Sequence, residues 1–305
     1  MADHRGSGAS GAPIVVATDG STESCRAVEW AAADAARHGC PLHVLASVAF
    51  QGAYGPVPYV TAAAVDQMAD DGERVVDEAI RIADAVICSD AVRISREVSF
   101  DPIIPSLIAR SRSARMLVVG SRGRGAFQRA LLGSVSSAVV HHAHCPVAIV
   151  RTTSGNDPVA ADKAVLVGTD GSANSAPAVV IAFDEAALRG VAVIALRCWS
   201  DSSGGDVPTD AWEQARDKEF TLLAESLAAH RERHPDVPVH SIVVRDRPAR
   251  ALLTHSVDAQ LVVVGSHGRG GFVGMLLGST SRAVVQSVEC PIIVARQLVA
   301  DQEGQ

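Results

Sequence analysis

Short runs of apolar, often β-branched residues alternate along the chain with longer segments whose apolar positions recur at helical spacing. The predicted strands are 13–18, 42–48, 92–98, 116–120 and 146–150 in the first half, and 164–169, 191–197, 239–244, 261–265 and 291–295 in the second. Helical patterns fall between them, as in STESCRAVEWAAADAARHG and EQARDKEFTLLAESLAAHRER. This alternation predicts an α/β protein.

The apolar runs also indicate how the sheets are built. MLVVG and LVVVG are apolar throughout, which favours strands covered on both faces. Strands that alternate with helices favour a parallel sheet with right-handed crossovers. We therefore predict two tandem doubly wound domains, each a five-stranded parallel sheet of order 3-2-1-4-5 flanked by helices. In such sheets ligands bind at the carboxyl ends of the strands.

The two halves of the chain repeat one another. IVVATDGS returns as VLVGTDGS, GSRGRGAFQRALLGS as GSHGRGGFVGMLLGS, and HCPVAIVR as ECPIIVAR. A polar stretch broken by Gly and Pro lies between the halves and is typical of a linker. The predicted divisions are a flexible N-terminus (1–12), a first domain (13–152), a linker (153–162), a second domain (163–297) and a C-terminal tail (298–305).

Composition narrows the function classes. With 305 residues, 48% hydrophobic and 20% charged, the chain has room for two domains with ordinary cores. The net charge of −7 gives no basic footprint for nucleic acid, and no apolar run is long enough to suggest a membrane span. The opening residues lack the apolar core of a signal peptide, and the six cysteines form no CxxC pair. We expect a cytoplasmic protein with reduced thiols that binds neither nucleic acid nor membrane.

The repeated glycine stretch is suited to a phosphate chain. Its fixed positions are Gly120-x2-Gly123-x9-Gly133-Ser134 in the first half and Gly265-x2-Gly268-x9-Gly278-Ser279 in the second. Glycine permits positive φ and a close approach of ligand to backbone, and a Ser that caps a helix stands beside N–H groups that attract anions. Arg122, Arg124, His267 and Arg269 could add charge. Alternatively, the two stretches are turns with a purely structural role. The same spacing in both halves favours phosphate binding.

Two better-known phosphate motifs are excluded by the same residues. A Walker A loop needs a Lys that neither copy has, and a Rossmann motif follows the first strand, whereas this one follows the fourth.

The second paired signal is the TDGS that follows the first strand of each half. Asp19 and Asp170 could accept hydrogen bonds from the exocyclic amine of a base or from a ribose hydroxyl. Alternatively each Asp could cap the next helix. Ser21 and Ser172 are better placed as caps, which leaves the carboxylates for a ligand.

Together, the glycine spacing, the first-strand TDGS and the closing CPVAIV resemble the universal stress protein family, in its nucleotide-binding branch and in tandem. The resemblance implies ATP, with or without Mg²⁺, at the strand ends of each half. It also implies a two-fold-like pair of domains within one chain and a homodimer of chains. The residues that match the family's site are Asp19, Ser47, Gly120, Arg122, Gly123, Gly133, Ser134, Val135 and Ser136 in the first half, and Asp170, Cys198, Gly265, His267, Gly268, Gly278, Ser279, Thr280 and Ser281 in the second. Arg122 stands where His267 fits the family's pattern.

The HHAHC cluster at His141–Cys145 resembles a metal site, but its counterpart in the second half is QSVEC, so we expect solvated or partner-facing histidines and no metal. The segments 49–60 and 200–211 are either loops that cover a site or ordinary surface loops.

The function we expect is stress-response regulation through an ATP-bound state, with one nucleotide per domain. The alternatives are a slow ATPase or phosphotransferase, and a dimerisation module with vestigial sites.

Overall fold

A computed structural model describes residues 11–48, 61–87, 92–123, 132–151, 161–199, 209–268 and 276–296. The chain divides into two compact units, Met1–Gly155 and Asn156–Gln305. Of the two segments predicted as loops, residues 49–60 and 200–208 lie outside the described residues, whereas 209–211 belong to a helix. Among the described helices, none has both the length and the apolar character needed to cross a bilayer.

The first unit is a parallel sheet between helices. Its strands are β1 (Ile14–Ala17), β2 (Leu42–Ser47), β3 (Ile94–Ser99), β4 (Met116–Gly120) and β5 (Val147–Val150). Its helices are α1 (Thr22–His38), α2 (Ala62–Val86), α3 (Ile103–Arg110) and α4 (Ser134–His142). The strand order is β3-β2-β1-β4-β5, and every pair is parallel.

The second unit repeats this arrangement. Its strands are β6 (Ala164–Gly168), β7 (Val193–Trp199), β8 (Val239–Arg245), β9 (Ala259–Gly265) and β10 (Ile292–Ala295). Its helices are α5 (Ala176–Arg189), α6 (Thr209–Arg233), α7 (Pro248–His255) and α8 (Ser279–Ser287), with a short 3-10 turn at Ser256–Asp258. The strand order is β8-β7-β6-β9-β10, again parallel throughout. The predicted fold class, including the order 3-2-1-4-5 within each unit, is confirmed.

The core of each unit lies on both faces of its sheet. All residues of β4 are buried, and so are the last five of β9, which is why these runs are apolar without alternation. On one face of the first sheet, α1 buries small side chains such as Ala27, Ala31 and Ala35, which bring the helix close to the strands. Each larger aliphatic side chain that is fully buried contributes roughly 1.5–3 kcal/mol to folding.

The copies differ where the second helix packs on the second strand. In the first unit, Gly72 of α2 lies so near the sheet that a Cβ would stand 2.6 Å from side-chain atoms of Val48 and Val98. Gly72 and Glu219 occupy the same position in two 25-residue helices. Glu219 forms an ion pair with Arg197 of β7, which is only 1% exposed. The helix position that packs a glycine against two valines in one copy therefore holds one partner of a buried ion pair in the other.

Candidate functional site

An acidic turn follows the first strand of the first unit. The Ser21 N–H donates to Asp19 Oδ1 at 3.0 Å, and the Gly20 N–H donates to Thr18 Oγ1 at 3.2 Å. Gly20 has φ 73°, a left-handed conformation that favours glycine. The Asp19 carboxylate is thereby fixed at the carboxyl edge of the sheet.

The second unit builds the same turn with nearly the same distances. The Ser172 N–H donates to Asp170 Oδ1 at 2.9 Å, and the Gly171 N–H donates to Thr169 Oγ1 at 3.2 Å. Gly171 has φ 76°. The glycine of TDGS is thus required by the turn itself, in both copies.

Two buried hydroxyl pairs support these turns, and sequence reasoning missed them. Thr18 Oγ1 lies 3.1 Å from Ser24 Oγ, and Thr169 Oγ1 lies 3.2 Å from Ser175 Oγ. The repeated Thr before each Asp was a usable signal, because its hydroxyl also accepts the glycine N–H in each turn.

The cap prediction holds in one unit only. Ser21 is the N-cap of α1, and its side chain accepts from the Ser24 N–H. In the second unit α5 begins later, with Ser175 at the N-cap position and no side-chain cap bond. Ser172 is therefore not a cap, and its buried hydroxyl has no hydrogen-bond partner among the described residues.

The first glycine of each loop is a packing residue. A Cβ on Gly120 would lie 2.9 Å from the carbonyl carbon of Glu23 in α1, and a Cβ on Gly265 would lie 2.7 Å from the backbone oxygen of Asn174. Neither glycine is among the described glycines with positive φ, and the other four of the two motifs are not either. The expected role of positive φ is therefore wrong, and close approach is the reason for these glycines.

The second glycine of each loop meets the acidic turn. A Cβ on Gly123 would come under 3.0 Å from Asp19 Oδ2, and a Cβ on Gly268 would come equally near Asp170 Oδ2. The glycine loop and the carboxylate, predicted separately from sequence, are thus adjacent in each unit.

The third glycine begins the helix after the loop. Gly133 is the N-cap of α4, and Gly278 is the N-cap of α8. Their N–H groups donate to the carbonyls of Ser121 and Ser266, the residues just after β4 and β9, at 2.8 and 2.7 Å. The predicted serine caps are therefore wrong: Ser134 and Ser279 are the first helical residues.

The N–H groups at these helix starts are suited to binding an anion. Neither helix has a side-chain cap bond, so no side chain of the cap residue competes for the N–H groups of the first turn. Val135 and Thr280 are the second residues of these turns. Ser136 and Ser281 follow them, are buried, and donate to the carbonyls of Gly120 and Gly265 at 2.6 Å. Each serine hydroxyl thus ties the helix start to the end of the preceding strand.

The charged loop residues differ between the copies. Arg122 is half-buried, and its Nε is buried without a hydrogen-bond partner in the part of the chain that the structure describes. His267 Nδ1 lies 3.2 Å from Ser266 Oγ. Arg124 and Arg269 lie outside the described residues.

Ser47 and Cys198 lie one strand away from the acidic turns. Ser47 ends β2, and its hydroxyl donates to the Asp101 carbonyl at 2.8 Å. Cys198 is in β7, where burial and then the negative charge of Asp246 raise the pKa of its thiol to about 12. These residues border the site on the side away from the glycine loop.

The histidine cluster lies at the end of α4. The helix ends at His142, and His141 Nδ1 lies 2.6 Å from the Ser137 carbonyl. The backbone N–H of His144 donates to Ser111 Oγ, and Cys145 is buried.

Comparison with known proteins assigns both units to the same family. The Universal stress protein family model matches residues 12–151 and again 163–296. The chain is 45% identical to universal stress protein Rv2005c of Mycobacterium tuberculosis over 286 residues, covering 93% of this chain and 97% of that one. It is 43% identical to a universal stress protein of Mycolicibacterium smegmatis over 291 residues, covering 93% and 96%.

A solved structure shows the same fold over most of the chain. The crystal structure of a universal stress protein from Archaeoglobus fulgidus matches with a TM-score of 0.67 and 22% identity, covering 94% of this chain and 96% of that one. The chain therefore belongs to the universal stress protein family, whose domain it contains twice in tandem.

Proposed function

We propose that each unit binds one adenine nucleotide, ATP with or without Mg²⁺, at the carboxyl ends of its strands. The observation that carries the proposal is the contact between the second glycine and the acidic turn. It brings an acceptor carboxylate and a helix start without a side-chain cap bond to one sheet edge, twice in the chain.

The chemistry of these groups matches the two ends of a nucleotide. The first-turn N–H groups of α4 and α8 suit phosphate oxygens, and Arg122 and His267 are further donors beside them. Asp19 and Asp170 accept from ribose hydroxyls or an exocyclic amine. Hydrogen bonds to charged groups contribute about 1.5–3 kcal/mol each, so a few of them reach the roughly 8 kcal/mol of a micromolar complex.

We propose a regulator of the stress response that acts through its ATP-bound state. Neither glycine motif has the lysine of a P-loop, which in P-loop enzymes contacts the phosphates during transfer. Slow hydrolysis is compatible with this proposal, and rapid turnover is not.

Calorimetry on nucleotide-stripped protein tests the stoichiometry. We expect two ATP sites in the wild-type chain, one in Asp19→Ala, one in Asp170→Ala and none in the double variant. Ligand at a hundredfold excess over Kd should stabilise the bound unit by about 2.7 kcal/mol. Titrations with AMP and with cyclic AMP identify the preferred phosphate chain. Absence of binding by all three nucleotides contradicts the proposal.

We further propose domain limits of 13–152 and 163–297, assembly as a homodimer of chains, and a cytoplasmic setting. The two family matches, 12–151 and 163–296, support limits close to these. Limited proteolysis should cut between the matched segments, and light scattering during gel filtration should give twice the mass of the chain. A monomer at micromolar concentration contradicts the dimer.

A further inference from the structure

Arginines cluster at the end of β8 and just after it, in the sequence RDRPAR that starts at Arg245, the last residue of the strand. Arg250 binds the Asp246 carboxylate through Nε, at 2.7 and 2.9 Å from its two oxygens, and through Nη2 at 2.6 Å. The Arg247 N–H also donates to this carboxylate. The side chains of Arg245, Arg247 and Arg250 are exposed. Arg247 and Arg250 place two cations beside one carboxylate, so these three groups together carry a net positive charge.

The first unit has no such charge at the same place. α3 and α7 begin at Ile103 and Pro248, so Asp101 corresponds to Asp246. The positions that match the three arginines hold Phe100, Pro102 and Pro105. Phe100 is 55% exposed. The two copies thus share an aspartate here but differ by three positive charges.

The arginines lie along the same edge of the sheet as the proposed nucleotide site. Along the carboxyl edge of the second sheet the order is β9, β6, β7 and β8, with neighbours about 4.8 Å apart. The glycine loop follows β9, Asp170 follows β6, and Cys198 lies in β7. Arg245 ends β8, and the other two arginines follow it. A ligand with its phosphates at the glycine loop and its nucleoside at Asp170 therefore extends toward the arginines.

We propose that the second unit selects nucleotides that carry an additional phosphate on the nucleoside, whereas the first unit does not. This inference rests on the proposed nucleotide site. Guanidinium groups bind phosphate through paired N–H donors and stay charged at any physiological pH. Arg250 uses one edge of its guanidinium for Asp246, which holds the group in place and leaves Nη1 for a phosphate. Arg247 is exposed at the start of α7, where the helix dipole also favours an anion.

The test compares AMP with adenosine 3′,5′-bisphosphate and adenosine 2′,5′-bisphosphate by calorimetry. Asp19→Ala leaves the second site to be measured alone, and Asp170→Ala leaves the first. In Asp19→Ala we expect one of the bisphosphates to bind about tenfold more tightly than AMP, and the ratio to fall as salt rises. In Asp170→Ala we expect a ratio near one. The bisphosphate that is preferred identifies which ribose oxygen faces the arginines.

Variants show whether the arginines cause the preference. Arg247→Gln with Arg250→Gln, in the Asp19→Ala chain, should bring the ratio close to one. Arg216→Gln with Arg233→Gln removes two exposed arginines of α6 and should leave the ratio near ten. AMP binding with a ratio of one at the second site overturns this inference alone, as does an equal preference at both sites. No binding of any of the three compounds overturns it together with the proposed function.

Discussion

A methyl group added at Gly268 tests the contact at the centre of the proposed site. In Gly268→Ala the new Cβ meets Asp170 Oδ2 under 3.0 Å, so the carboxylate or the loop must move. The backbone itself is not strained, because Gly268 is not among the described glycines with positive φ. The substitution therefore acts on the position of the carboxylate.

The expected magnitude follows from the bonds of that carboxylate. A shifted Asp170 loses one hydrogen bond to the nucleotide, worth about 1.5–3 kcal/mol, which weakens binding roughly 10- to 150-fold. It also loosens the 2.9 Å bond from the Ser172 N–H, so the free energy of unfolding falls by about 1 kcal/mol. The variant should fold normally and bind poorly.

Calorimetry with ATP in the Asp19→Ala chain measures the second site alone. Gly278→Ala is the matched comparison, because its Cβ lies 3.4 Å from the Ser266 carbonyl, an ordinary contact. Gly278→Ala should weaken ATP binding less than threefold. It should destabilise α8 by about 1 kcal/mol, because alanine is a poorer N-cap than glycine. Wild-type affinity in Gly268→Ala would refute the reasoning that the loop and Asp170 act as one site.

Three further outcomes are expected. Ser136→Ala and Ser281→Ala should each lower the free energy of unfolding in urea by about 1–2 kcal/mol, since each removes a buried hydroxyl that donates to a strand-end carbonyl; no change would mean that water replaces the hydroxyl. Burial raises the pKa of Cys290 to about 12, so its thiol stays protonated at pH 8 and should react with a disulfide reagent only after unfolding; rapid reaction of the native protein would contradict this. The hydrogen bond from Arg110 lowers the pKa of Glu97, so the ionised Glu97 stabilises the fold at neutral pH, and this contribution is lost as acid protonates it. Glu97→Gln should therefore lower the free energy of unfolding by under about 1 kcal/mol at pH 7, because the side chain is 35% exposed, and should not change it in strong acid. An equal loss of stability at both pH values would exclude the charge as its cause.

The repeat and the periodicity were enough to predict the fold. Ten apolar runs, all recovered as strands, specify a parallel sheet in each unit because every run except the last of each half is followed by a helical pattern of crossover length. The sequence predicted only that Gly123 and Asp19 lie at the same edge of the sheet, because the glycine motif and the TDGS turn follow neighbouring strands. It did not predict that the two residues come close together.

The detailed roles of the glycines and serines were not accessible from the sequence. Whether Gly120 is needed for conformation or for space depends on how near α1 lies, which is a tertiary distance. Ser134 and Gly133 are both acceptable N-caps, and the hydrogen bond from Gly133 to Ser121 decides between them. The bond of Ser136 to Gly120 spans sixteen positions, too far for local propensity to indicate.

The ion pair of Arg197 and Glu219 bears on how the duplicated halves evolve. Repeated segments within a gene are prone to exchange by recombination, which tends to make the copies alike. A crossover that moves only one of these positions would bury Arg197 against a glycine, or place a lone glutamate beside the sheet, and an unpaired buried charge costs about 3–5 kcal/mol. Strand and helix must be exchanged together or not at all. An exchange that separates the two positions is therefore costly in stability, whereas one that moves both keeps the pair intact.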